Sequence, residues 1–133
     1  MTPREIALKI ASILDAKHGE DIQVLDVQHL TSVTDYFVIA SARNSIAVRA
    51  IAEELEEKLA ESGIEARRKE GYSDSRWVVL DYASVIVHIF HVEEREYYNI
   101  ERLWMDGTNQ VPFVSIEEKA RIEQEAAEEK SSL

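Results

Sequence analysis

The stretch that decides the fold runs from residue 77 to 90: Trp77-Val78-Val79-Leu80-Asp81-Tyr82, then Ala83-Ser84, then Val85-Ile86-Val87-His88-Ile89-Phe90. Two runs rich in β-branched and aromatic residues stand either side of a two-residue gap, which is the spacing of a β-hairpin. Alternation along the first run sends Trp77, Val79 and Asp81 to one face and Val78, Leu80 and Tyr82 to the other. Upstream, Gly71-Tyr72-Ser73-Asp74-Ser75 reads as a turn, and Ile64 to Lys69 as a strand with a basic end. Farther back, Asp35-Tyr36-Phe37-Val38-Ile39-Ala40 is an unambiguous strand. Ile22 to Val27 is another, apolar on both faces and so expected to be covered on both.

Helices punctuate these strands. Thr2-Pro3-Arg4-Glu5 has the form of a capping box with proline at the first helical position. Ile6, Ile10, Ile13 and Leu14 then recur at helical spacing up to Gly19. A second helix is predicted from a Ser45 cap to Gly63, burying Val48, Ile51, Ala52, Leu55 and Leu59. A third is predicted over roughly Glu94 to Trp104, with Tyr97, Ile100, Leu103 and Trp104 turned inward. The order is helix, two strands, helix, three strands, helix. It implies an α/β domain: a mixed β-sheet of about five strands covered by helices.

That domain is expected to occupy residues 1–112. The remaining 113–133 form a charged tail, with no aromatic residue after Phe113. From Glu117 to Lys130 six glutamates face three basic residues. Such a segment buries little and is expected to be disordered or loosely helical, with Ser115-Ile116-Glu117-Glu118 as a possible capping box.

Across 133 residues, 26 acidic side chains against 15 basic give a formal charge of -11. Neutralising a phosphate backbone takes clustered Lys and Arg, so direct nucleic-acid binding is disfavoured and a basic protein is the more natural partner. No apolar run is long enough to span a bilayer. The start Met1-Thr2-Pro3-Arg4-Glu5 lacks the basic-then-apolar layout of a signal peptide, and with no cysteine a cytoplasmic location fits.

Chemistry-bearing constellations are sparse. His88 and His91 stand three apart on a strand, so they point to opposite faces and cannot easily share a metal; His18 and His29 are isolated. Ser41 and Ser45 lie at a strand-to-helix junction, but Ser41-Ala42-Arg43-Asn44-Ser45 has none of the glycines that wrap a phosphate. Nucleotidyl transfer is the most serious enzymatic alternative. It needs two carboxylates at alternate positions of one strand to hold metal ions, and here Asp81 stands alone between Val79 and Ala83. Neither a catalytic residue nor a cofactor is expected.

What remains is a recognition surface. If Val78 and Leu80 face the core, Trp77 and Asp81 share the outer face, with Glu70 and Asp74 nearby; an aromatic anchor beside carboxylates suits a basic protein. Trp77 packed beneath a helix is an equally valid reading of the pattern. Tyr98 falls off the inward stripe of the last helix.

Three blocks of residues together carry a resemblance. The first is Asp26-Val27, Leu30, Asp35-Tyr36-Phe37-Val38-Ile39 and Val48-Arg49-Ala50-Ile51-Ala52. The second is Glu70-Gly71, Trp77 to Tyr82 and Val85 to Phe90. The third is Arg95-Glu96-Tyr97-Tyr98, Glu101-Arg102-Leu103-Trp104 and Asp106. In that order, over residues 4 to 106, they closely resemble the Iojap family of ribosomal silencing factors. The resemblance implies a nucleotidyltransferase-like fold without enzymatic activity. It implies binding to the large ribosomal subunit at its ribosomal protein fourteen, steric exclusion of the small subunit, repression of translation under nutrient limitation, and a role in large-subunit biogenesis. It also implies a homodimer when free. Carried onto this chain, it makes Glu70, Trp77, Asp81 and Tyr98 the expected partner-binding residues. Two loops depart from the family pattern: Ser41-Ala42-Arg43-Asn44 replaces small glycines, and Ala83-Ser84 replaces a common Gly-Asp.

Overall fold

Thr2 sets the first helix. In the computed structural model, which describes residues 1–131, its Oγ1 accepts from the Glu5 amide at 3.1 Å while Glu5 Oε1 accepts from the Thr2 amide. With Pro3 at the first turn, helix α1 runs Pro3–Ala16 and buries Ala7, Ile10, Ala11 and Leu14. Strands β1 (Glu20–Asp26) and β2 (Tyr36–Ala42) follow, then helix α2 (Ser45–Glu61), strands β3 (Arg68–Glu70), β4 (Trp77–Asp81) and β5 (Val85–His91), and helices α3 (Val92–Tyr98), α4 (Ile100–Trp104) and α5 (Ile116–Ser131). The sheet order is β1-β2-β5-β4-β3. Only β2 and β5 are parallel; the other three pairs are antiparallel. The α/β expectation of a mixed five-stranded sheet covered by helices matches this architecture.

Helices α1 and α2 cover one face of the sheet. Their apolar stripes meet Val24, Val38, Ala40, Val78, Leu80, Val87 and Ile89 in the main core. The opposite face carries a smaller cluster of Leu25, Val27, Phe37, Ile39 and Phe90, against which Ile100 and Trp104 pack. The free edge of β1 is closed by the chain itself: Val111 N–H donates to Val24 O and Asp26 N–H to Asn109 O. The Asn109 side chain ties this segment to Asp26 O and Trp104 O.

Three expectations are corrected. The cap of α2 is Asn44, not Ser45: its Oδ1 accepts from the Ala47 amide at 2.8 Å, leaving Ser45 as the first helical residue. Of the strand expected over Ile64 to Lys69, only Arg68–Glu70 pairs, because Ile64 and Ala66 instead pack onto the core as the chain leaves Gly63. The single helix expected over 94 to 104 is two. Asn99, at φ 44°, breaks it in the left-handed region, and the break resets the helical phase. Ile100 and Trp104 turn inward as expected, whereas Tyr97 and Leu103 are 81% and 76% exposed.

In the tail, Ser115 Oγ accepts from the Glu118 amide and Asp15 Oδ2 from the Ile116 amide, so α5 starts on a side-chain cap and a carboxylate from α1. None of its residues is buried.

Candidate partner-binding face

Because Val78 and Leu80 are buried against the helices, β4 presents Trp77, Val79 and Asp81 on the other face. The hairpin register sets Phe90, His88 and Ile86 directly beside them. Trp77 stacks on Phe90 (centroids 4.7 Å apart, 27° between planes) and meets the Tyr98 ring at 5.0 Å. Phe37 presents its edge to both His88 and Trp104. The result is a half-buried aromatic platform built from β2, β4, β5, α3 and α4.

The two sequence readings of Trp77 are thus both partly right: one side of the indole joins the smaller core, and the residue stays partly open. Tyr98 is 48% exposed and leans on the same indole. Glu70 sits exposed on the edge strand beside Val79, on the same face as Trp77. Trp77, Tyr98 and Glu70 are therefore brought to one face.

Asp81 shares the face but not the platform. It lies at the far end of β4, only 9% exposed. Its Oδ1 accepts from the Ala83 amide at 2.8 Å and faces Arg67 Nε at 3.2 Å, so the carboxylate is committed to the β4–β5 turn.

Sequence reasoning missed His88, Phe90 and Arg76. Trp77 Nε1 donates to His88 Nδ1 at 3.1 Å. Burial pushes the His88 pKa down from 6.5 to about 4, so the ring is neutral at ordinary pH. Arg76 reaches from the start of β4 to Glu94 at 2.8 Å and Glu93 at 3.4 Å, fastening α3 to the strand that carries Trp77. The signal for His88 and Phe90 was available: a two-residue turn at Ala83-Ser84 already pairs 79 with 88 and 77 with 90.

The junction considered for catalysis has other work. Ser41 Oγ donates to Glu20 O and accepts from Arg95 Nη1. Arg95, 8% exposed, also binds Glu20 O and Glu101 Oε1, so it locks α3 and α4 to the ends of β1 and β2. Among the described residues no three His, Asp or Glu side chains gather as a metal site. No helix of the described residues is long and apolar enough to cross a membrane.

Residues 1–132 match the family described as "Ribosomal silencing factor during starvation". The chain belongs to this family. It is similar to the ribosomal silencing factor RsfS of Bacillus subtilis (strain 168), 41% identical over 107 residues, covering 80% of this chain and 91% of that one. It is similar also to the chloroplast protein Iojap of Zea mays, 30% identical over 111 residues, which cover 80% of this chain and 47% of the maize protein. The crystal structure of protein CV0518 from Chromobacterium violaceum superimposes with a TM-score of 0.76 at 33% identity, covering 85% of this chain and 92% of that one. As a member of the ribosomal silencing factor family, the chain is grouped with proteins named for a regulatory role.

Proposed function

We propose that this protein binds the large ribosomal subunit through ribosomal protein fourteen, prevents the small subunit from joining, and so represses translation when nutrients are limiting. A role in large-subunit biogenesis belongs to the same reading, as do a cytoplasmic location, a homodimer in the free state and the absence of catalysis. The observation that carries it is the aromatic platform of Trp77 and Tyr98 with Glu70 exposed at its edge. A large, partly desolvated aromatic with a second ring against it is the composition of an interface hot spot, and an adjacent carboxylate selects a basic partner. The charge of -11 accords with a basic protein surface better than with bare RNA. In this reading Glu70, Trp77 and Tyr98 make contact, and Asp81 contributes by holding the turn that frames them.

Gradient sedimentation tests it. The protein should travel with purified large subunits and lower the yield of joined ribosomes when small subunits are added. Trp77→Ala should abolish both effects while the domain still melts cooperatively. Sedimentation only at the top of a low-salt gradient overturns the reading.

A further inference from the structure

We infer that His88 is a positioning residue for the docking face: as a neutral acceptor it fixes the orientation of the Trp77 indole. The inference rests on the reading of Trp77 as a contact and deepens it.

An indole N–H can only donate, so the 3.1 Å contact assigns His88 Nδ1 as the acceptor and leaves the ring proton on Nε2. That Nε2 is enclosed and has no hydrogen-bond partner among the described residues. The ring therefore gives up one of its own bonds to stay where the indole needs it. Its position is set by packing. Phe37 abuts it edge-on at 5.1 Å, and the hairpin register places it diagonally from Trp77 across the two strands. Trp77 is held on one side by Phe90 and touched by Tyr98, but ring contacts are weakly directional and leave the indole some freedom about χ1 and χ2. The hydrogen bond to His88 removes that freedom. An anchor with a fixed orientation loses less entropy on docking, which favours tight and selective binding.

Three substitutions separate this role from mere packing. His88→Asn keeps an acceptor near the Nδ1 position. His88→Leu has almost the same shape and no acceptor. His88→Gln carries its amide farther out, near Nε2. In ¹⁵N-tryptophan-labelled protein, with the indole signal assigned through Trp77→Phe, solvent exchange of the Trp77 Nε1–H should be slow in wild type and H88N. It should be at least about tenfold faster in H88L and H88Q. Affinity for large subunits should fall about fivefold to tenfold in H88L and H88Q and return to within about threefold of wild type in H88N. In a Trp77→Phe background, which has no indole N–H at position 77, His88→Leu should cause no further loss. If H88L fails to fold, the contrast between H88Q and H88N carries the same information. Unchanged exchange in H88L and H88Q, or H88N binding as poorly as they do, overturns the inference. If Trp77→Ala itself leaves binding intact, the docking reading fails instead, and the exchange contrast still decides whether His88 holds the indole.

Discussion

Gly71 and Trp77 touch backbone to backbone: a Cβ placed on Gly71 would lie 1.9 Å from the Trp77 carbonyl oxygen. Gly71 also sits at φ 92°, where a side chain is disfavoured whatever the space. The turn between β3 and β4 can close against the anchor strand only because nothing projects there. Gly71→Ala must therefore move backbone, and should cost more than about 2 kcal/mol in denaturant unfolding. The same variant should perturb the Trp77 indole resonance. A stability change under about 0.5 kcal/mol would contradict the geometry.

Ala83 gives the opposite prediction. It occupies φ 69° in the β4–β5 turn, with its amide held by Asp81. A left-handed residue with a Cβ bears a strain of about 1–2 kcal/mol, partly offset by the lower entropy of alanine in the unfolded chain. Ala83→Gly should stabilise the domain by about 0.5–1 kcal/mol, read as a higher denaturation midpoint at unchanged slope.

Acid should weaken the fold in two stages. His88 has a pKa lowered to about 4 in the folded protein against 6.5 unfolded, so between these values the unfolded chain holds the extra proton. Its contribution is fully present above about pH 6.5 and falls as pH drops to 4, by up to roughly 3 kcal/mol. Asp106 follows: its bonds from His29, the Thr108 amide and the Thr108 hydroxyl lower its pKa from 3.8 to about 2. The stability it adds is present above its unfolded pKa and is lost as pH falls through 2. His88→Asn should abolish the loss between pH 6.5 and 4 and spare the later one. Denaturant midpoints measured from about pH 7 down to about pH 2 check both signs.

Removing α5 should scarcely matter to the fold. With no residue of α5 buried, a chain ending at Ser115 should melt within a few degrees of the full protein. A chain ending at Asn109 should not: Val111 is 7% exposed, its amide binds Val24, and Phe113 packs on the main core. Both truncations are expected to separate cleanly in calorimetry, which also tests the division of the chain near residue 112.

Much of this was legible in the residues. The β4–β5 hairpin, the interior strand at 36–42 and the apolar stripes of α1 and α2 follow from alternation, helical spacing and capping chemistry, all local signals. The break at Asn99 was not legible, since nothing in Tyr97-Tyr98-Asn99-Ile100 demands a left-handed residue. It arises because α3 must lie along the sheet end held by Arg95 and Arg76 while α4 turns to bury Trp104. Within the candidate site, Tyr98 and Glu70 were offered by the resemblance alone, whereas the side of the sheet that Trp77 takes could be read by counting along β4. That Asp81 is consumed by Arg67 and the Ala83 amide could not, because both contacts depend on the turn's three-dimensional path. The helix at 116–131 was half legible: Ser115 caps it as the Ser115-Ile116-Glu117-Glu118 pattern suggested, while the carboxylate from α1 that also starts it lies 101 positions away.

The lone parallel seam between β2 and β5 has a consequence for how the chain assembles. On one side β1 and β2 are neighbours in sequence; on the other β3, β4 and β5 form a continuous antiparallel run. The seam joins residues roughly fifty positions apart, so closing it carries the largest loop-entropy cost in the sheet. Helix α1 rests mainly on β1 and β2, whereas α2 touches β2, β4 and β5, so the main core is complete only once the seam has closed. Commitment to the native state is therefore expected when Val38 and Val87 meet. Truncating either should slow refolding, whereas changes at the β3 edge should mainly hasten unfolding.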